Sequence, residues 1–364
     1  MSFLFKRNQP KVQLGAIGLE FSLEQINMVQ LERISNTRLQ VRSWLSIPYP
    51  ETREDILENP FSFKKLINQC FRTGNFSGRR IVTILPSNQQ KILSVNYQLE
   101  KDLGDSETIM QLMTNRLPGK LSDYVIDYLP VRSSVNKNSR HAVVVAAPEV
   151  EVLKYLQHLN SAGLDVEQLE IGPTAIKRLV GSLSSPSEGL NVLVVNFGSD
   201  SSYVTMISGR RLLFDEQINF GEISVLGQMS EVLEMPAEQV KELVLQLDLT
   251  AQNSHHDWQD EINNTLREMV LMLLRPLADE VNRTLIYAAS ETRGEAVEHL
   301  YILGSIARWP GIQVLLSELL GLNVEIMPNP LSAFNHESSD IAQKDVPEIA
   351  VATGLALRGI ELYE

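Results

Sequence analysis

One pattern occurs twice in this chain, and it constrains the fold more than anything else in the sequence. Val12–Phe21, Ile26–Arg33 and Leu39–Ile47 are apolar-rich runs of strand length joined by short turns, and Asn191–Phe197, Tyr203–Ser208 and Arg211–Asn219 repeat the arrangement. Each triplet reads as an antiparallel meander with a small-residue turn after its first strand. A chain that opens twice in the same way builds two related halves, and 364 residues suffice for two domains or one bilobal α/β unit.

Between the two openings the texture changes. Phe61–Phe71 has helical spacing, and Arg80–Leu85 is a buried-type strand stopped by Pro86. Gln89–Leu99, Asp123–Val131 and His141–Ala147 then read as strands, with helices at Ser106–Arg116 and Val150–Ser161. This β-α-β-β-α block looks like a module inserted into the first half, with the polar run Ser133–Arg140 as its hairpin loop. The expected division is 1–86 for the first lobe, 87–170 for the insert and 171–189 for the return and a Ser/Pro/Gly linker. The second lobe follows at 190–345, and a closing segment at 346–364 returns to the first lobe. In the second lobe, helical patterns at Glu222–Glu234, Ala237–Leu247 and Trp258–Ser290 precede a strand at Leu300–Leu303, a helix at Ile312–Leu320 and a strand at Asn323–Ile326. Val346–Arg358 is the last helix.

Composition narrows the function classes. The 45 acidic residues against 32 basic ones give a net charge of −13, which argues against the phosphate-neutralising surface of a nucleic-acid binder. The single cysteine, Cys70, has no partner for a disulfide or a thiolate metal pair, so a reducing, cytoplasmic setting is expected. No stretch reaches the roughly 18 apolar residues of a membrane-spanning helix, and Met1–Gln9 lacks a signal-peptide core. The adjacent His255 and His256 sit among acids in a polar loop and read as solvated. The remaining histidines have no Ser or Cys neighbour pattern that would mark a nucleophile.

Two strand–turn–strand openings facing one another suggest a clamp in which backbone N–H groups at the turns grip phosphates from opposite sides. Such a clamp needs acidic residues near the turns to hold a divalent cation or its waters. The candidate stretches are Gly18–Leu31, Val195–Ser202 and Tyr301–Gly311, the last a strand ending in a Gly-Ser turn. Each taken alone also fits a plain hairpin or a simple strand-to-helix connection.

These residues resemble the actin-like ATPase superfamily, and within it the PilM-like proteins of type IV pilus assembly, with FtsA a more distant relative. The resemblance spans essentially the whole chain. Its pieces run in family order through Ile84–Ser87, Ala146–Glu149, Ser161–Asp165, Gly209–Phe214, Glu280–Tyr287 and Glu348–Arg358. It implies a bilobal, duplicated ribonuclease-H-like fold with an α+β subdomain inserted in the first lobe. It also implies ATP with Mg²⁺ in the cleft, carried onto Glu20, Ser22, Leu23, Asn196, Gly198, Ser199, Gly221, Gly304 and Ser305, with Glu20 the residue that would reach the metal.

Several positions depart from that pattern. The usual Asp of the first turn is Glu20, and that of the second is the neutral Asn196. The acidic residue before Pro173 is Gly172, the double glycine is Leu303-Gly304, and a commonly basic helix position is Val244, with Lys241 nearly one turn away. Losing these carboxylates removes much of the electrostatic apparatus for metal-assisted phosphoryl chemistry, so hydrolysis is not expected.

The resemblance further implies a partner, the short cytoplasmic N-terminal peptide of a bitopic PilN-type inner-membrane protein, and allows for a complex containing the pilus ATPase and for a homo-oligomer. An extended apolar peptide needs a strand edge or an apolar groove, and the expected contacts are Tyr124, Val125, Ile126 and Tyr155. The chain would then be a cytoplasmic scaffold held at the inner membrane through that partner. Two alternatives stay open on the same fold: an active ATPase or phosphotransferase, and a type II secretion platform component.

Overall fold

The computed structural model describes residues 13–22, 24–35, 38–86, 89–99, 103–131, 140–183, 190–247, 249–250, 258–292, 294–334 and 348–361. The first lobe opens with β1 (Gln13–Phe21), β2 (Gln25–Ser35) and β3 (Arg38–Pro48), followed by α1 (Arg53–Glu58), α2 (Pro60–Thr73) and β4 (Arg80–Ile84). The insert contributes β5 (Lys91–Tyr97), α3 (Asp105–Thr114), β6 (Tyr124–Val131), β7 (Arg140–Pro148) and α4 (Glu149–Ser161). The chain then returns through β8 (Asp165–Glu170) and α5 (Gly172–Leu183). The second lobe holds β9 (Asn191–Phe197), β10 (Ser202–Ser208), β11 (Arg211–Ile218), α6 (Glu222–Leu233), α7 (Ala237–Gln246) and α8 (Trp258–Glu291). It ends with β12 (His299–Gly304), α9 (Ile312–Leu320) and β13 (Val324–Ile326), after which α10 (Ala350–Glu361) closes the fold.

The duplication is explicit in the sheets. One has strand order β3-β2-β1-β4-β8 and the other β11-β10-β9-β12-β13. In each, the first three strands are antiparallel and the fourth and fifth run parallel to the first. β1 and β9 are central strands covered on both faces, so they are nearly continuously apolar rather than alternating.

α5 and α10 lie between the sheets. α10 runs against β1 and β2, while α5 also touches β11. One apolar cluster joins Ala16 and Val82 of the first sheet, Ile176 and Leu179 of α5, Leu355 of α10, and Val192 and Val194 of the second sheet. Burial of this shared layer joins the two lobes.

The block between residues 87 and 170 divides between two structures. β5, β7 and β6 form a separate three-stranded antiparallel sheet closed by α3 through Val95, Ile109, Met113 and Val144. β8 instead pairs with β4 in the first lobe's sheet. The inner face of α4, with Val152, Tyr155 and Leu159, belongs to the first lobe's core beside Phe21 and Phe63. The insert leans on the second lobe as well, where Val143 joins the large cluster around β10, β11 and α8.

α1 is an element the periodicity reading did not contain. Six residues are too few to show a helical period, and its signal is a cap: the Thr52 side chain accepts from the Asp55 amide. α2 follows at once, capped by Asn59, with Pro60 in its first turn.

Candidate functional site

A cleft of about 370 Å³ opens between the lobes. Its walls come from the end of β1 and the turn after it, the end of β9 and its turn, the end of β12, the start of α5, and the β5 edge of the insert. Of the nine nucleotide-site residues expected from the sequence, Glu20, Ser22, Asn196, Gly198, Ser199, Gly304 and Ser305 line it. Leu23 lies outside the described residues, as do His255 and His256. Gly221 is not part of the wall; a β-carbon there would fall 2.1 Å from the Ser199 carbonyl oxygen, so its place is to let α6 start directly behind the second turn.

The turns are closed by their own hydrogen bonds. The Ser22 amide and hydroxyl both donate to the Gln25 carbonyl, each at 3.0 Å. The Ser305 amide donates to the Phe197 carbonyl at 3.1 Å and its hydroxyl to the Gly198 carbonyl at 3.3 Å, tying the β12 turn to the β9 turn. Gly304, at φ 85°, makes this approach possible, because a β-carbon would meet Phe197 O at 2.1 Å. The Ser199 hydroxyl donates to Asp200 at 3.3 Å.

Charge in the cleft is mostly negative. Glu20, Glu24, Glu54, Asp200, Asp215 and Glu348 line it against Arg53 and Arg308. Burial, with the nearby Glu348 carboxylate, pushes the Glu20 carboxyl up to about 8 against weaker stabilisation from Asn27, the Ala352 amide and Arg53, so Glu20 is largely protonated at neutral pH. Burial likewise raises Asp215 to about 7; one of its oxygens accepts from Thr205 at 2.6 Å and the other has no hydrogen-bond partner among the described residues.

Glu24 behaves oppositely. Burial alone would raise it, but the hydrogen bond from Lys241 and the charges of Arg308 and Lys241 outweigh that and hold its carboxyl below the usual range. Lys241 on α7 reaches Glu24 directly and approaches Glu222 at 3.7 Å. Arg308 contacts Glu24 at 3.0 Å, Glu348 at 3.4 Å and Glu222 at 4.0 Å. Glu222 is itself fixed by the indole N–H of the fully buried Trp309 at 3.1 Å. Lys241 therefore supplies the cation on this helix, and Val244 is a core residue. Arg308, Glu222 and Glu348 are site residues that sequence reasoning missed; they are far apart in the chain, and their signal is only that a charged residue stands beside an apolar one. Among the described residues, no group of three or more His, Cys, Asp or Glu is placed to hold a metal ion.

The expected partner residues separate. Val125 and Leu129, 47% and 37% exposed, lie on β6, an edge strand of the insert's sheet, on the face away from α3 that β7 turns toward the lobes through Ala147 and Val143. Tyr124 and Ile126 turn to the other face and pack against the α3 cluster. Tyr155 is a correction: its ring is buried against Phe21 and its hydroxyl is 3.1 Å from that of Thr83 in β4. It packs the core and presents nothing to a partner. The outward side of α4 instead carries Val150 and Leu153, 73% and 57% exposed. The start of α4 lies against β6, because Val125 pairs with Ala147 two residues before the helix begins.

Two sheets of the same strand order, sandwiching paired helices under a common cleft, define a bilobal protein of the actin-like ATPase fold. Residues 18–360 match the family described as type IV pilus assembly protein PilM, and the chain belongs to that family. The solved structure of a PilM-PilN type IV pilus biogenesis complex is similar, with 21% identity, a TM-score of 0.72, and coverage of 95% of this chain and 98% of that one. The ethanolamine utilization protein EutJ from Carboxydothermus hydrogenoformans shares the fold more distantly, at 12% identity and a TM-score of 0.50, covering 94% of this chain and 89% of that one. No curated protein sequence matches significantly. No helix among the described residues is long and apolar enough to cross a membrane.

Proposed function

We propose that this chain is a scaffold of pilus assembly that captures the cytoplasmic N-terminal peptide of a PilN-type inner-membrane protein and is held at the membrane by it. The observations that carry this reading are four exposed apolar side chains, Val125 and Leu129 on β6, an edge strand among the described residues, and Val150 and Leu153 on α4, which touches β6; we take them as one strip. An extended peptide can add main-chain hydrogen bonds along the edge of β6 while its apolar side chains cover the strip. The PilM-PilN complex of similar fold supports the choice of partner.

The cleft is the site where ATP would bind by analogy with the fold, and its side chains fit Mg²⁺-triphosphate poorly. Glu20 is largely protonated, Asn196 carries no charge, and the Ser305 hydroxyl is spent on a backbone carbonyl. Arg308 is already paired with carboxylates. Phosphoryl transfer relies on positioning and charge stabilisation, and those groups supply neither. The chain thus acts as an adaptor rather than as an ATPase or phosphotransferase.

Calorimetric titration of the chain with the first ~10–15 residues of the partner, a length on the scale of such motifs, tests the reading. Binding is expected, with a loss of at least about tenfold for Leu153→Asp, since a charge buried against an apolar peptide is costly. Equal affinity for wild type and Leu153→Asp would refute this placement.

A further inference from the structure

The ion network around Glu24 does more than crowd the cleft. Glu24 belongs to the β1–β2 turn of the first lobe, while Lys241 and Arg308 stand on α7 and on the turn after β12 in the second. Glu348, which leads into α10, holds Arg308 from the side where α10 packs against the first sheet. The contacts thus run from lobe to lobe at the cleft, whose wall includes Glu24, Arg308 and Glu348. The three carboxylates Glu24, Glu222 and Glu348 outnumber the two cations by one, so the network is satisfied internally and a polyanion approaching it meets net negative charge. Partial burial also shields these pairs from the screening that weakens surface ion pairs.

We infer that Glu24 is a built-in latch: its carboxylate takes the two second-lobe cations that an anionic ligand would otherwise use, and holds the lobes closed without nucleotide. This rests on the reading of the cleft as a nucleotide site that has lost its triphosphate chemistry, and adds how the site is kept shut. A nucleoside triphosphate must displace Glu24 before it can reach Lys241 or Arg308. Closure, which an anionic ligand would otherwise have to supply by bridging the lobes, is here a property of the chain.

The test uses the full chain with spin labels at Lys64→Cys on α2 and Glu231→Cys on α6, both exposed and one on each lobe, while the native Cys70 is buried and stays unlabelled. Pulsed-EPR distances and ATP titrations are recorded with and without Mg²⁺-ATP. Wild type is expected to give one short inter-lobe distance that ATP leaves unchanged. Glu24→Gln, which keeps the side chain's shape, lengthens and broadens the distribution and raises ATP affinity at least about tenfold, because a like charge is removed and two cations are released. Lys241→Met opens the cleft equally but brings no gain in ATP affinity, since a cation is lost with the latch. A wild-type chain that is open until ATP is added overturns the inference, as does a Glu24→Gln chain with wild-type distance and wild-type ATP affinity. Partner-peptide binding measured on the same samples reports on the adaptor reading alone, so its failure is distinguishable from failure of the latch.

Discussion

Gly354 of α10 and Ala175 of α5 are in backbone contact: a β-carbon on Gly354 would lie 2.1 Å from the Ala175 carbonyl oxygen. The helices meet here between the two sheets, and the obstructing atoms are main chain, which cannot swing aside. Gly354→Ala must push α5 and α10 apart and loosen the layer that joins the lobes. Overpacking of this kind costs about 1–3 kcal/mol. Calorimetry should show a lower melting temperature for Gly354→Ala, whereas Gly172→Ala, where a β-carbon meets nothing within 4 Å, should stay close to wild type. Equal melting temperatures for both variants would mean the helices can separate freely.

Glu20 and Asp215 make stability depend on pH in an unusual direction. Both are buried, with carboxyls pushed up to about 8 and about 7 from ordinary values of 4.5 and 3.8. A raised carboxyl value means the folded state binds the proton more tightly than the unfolded chain. The contribution is complete below the unfolded values and is lost as pH rises through the folded ones. Stability from these two groups should fall between pH 5 and 9, by an amount on the order of a few kcal/mol. Urea midpoints at pH 5, 7 and 9 should decline for wild type and decline less steeply in Glu20→Gln, where only Asp215 still contributes. A Glu20→Gln profile parallel to wild type would show that Glu20 is ionised in the fold.

Tyr155 gives a prediction that separates packing from partner contact. Its hydroxyl bond to Thr83 is internal, so Tyr155→Phe should cost about 1 kcal/mol of stability and leave peptide affinity unchanged. Val150→Asp, on the outward side of the same helix, should do the reverse. Weakened peptide binding by Tyr155→Phe at an unaltered melting temperature would return Tyr155 to the partner surface.

The contrast on α4 also shows where the sequence stopped being informative. The helix carries two apolar stripes, Val152-Tyr155-Leu159 inward and Val150-Leu153 outward, and periodicity finds both without saying which one the core takes. The duplicated meanders were legible because central strands such as β1 and β9 are apolar on both faces and end in small-residue turns. The cleft was legible as a set of turns, since Glu20, Ser22, Asn196, Gly198, Ser199, Gly304 and Ser305 do converge. Its electrostatics were not. Glu24 and Lys241 are 217 positions apart, and only the packed lobes reveal that a glutamate beside the first turn is neutralised rather than repelled. The same holds for Arg308, whose three carboxylate partners come from three separate elements.

Asn196 provides the final prediction, on whether one substitution can return phosphoryl chemistry to the cleft. Asn196 lines the wall beside Gly304, and Asp is nearly isosteric with it, so Asn196→Asp should fold normally. The new carboxylate would join Glu24, Asp200 and Glu348 in a cleft where Arg308 is already paired and Lys241, from α7, is held by Glu24. It gains charge but no positioned phosphate donor, and positioning supplies most of the rate in phosphoryl transfer. Phosphate release by Asn196→Asp with Mg²⁺-ATP should therefore remain at background, and so should that of Asn196→Asp combined with Gly172→Asp. Sustained turnover in either variant would show that the rest of the machinery is intact and that a single missing charge had silenced it.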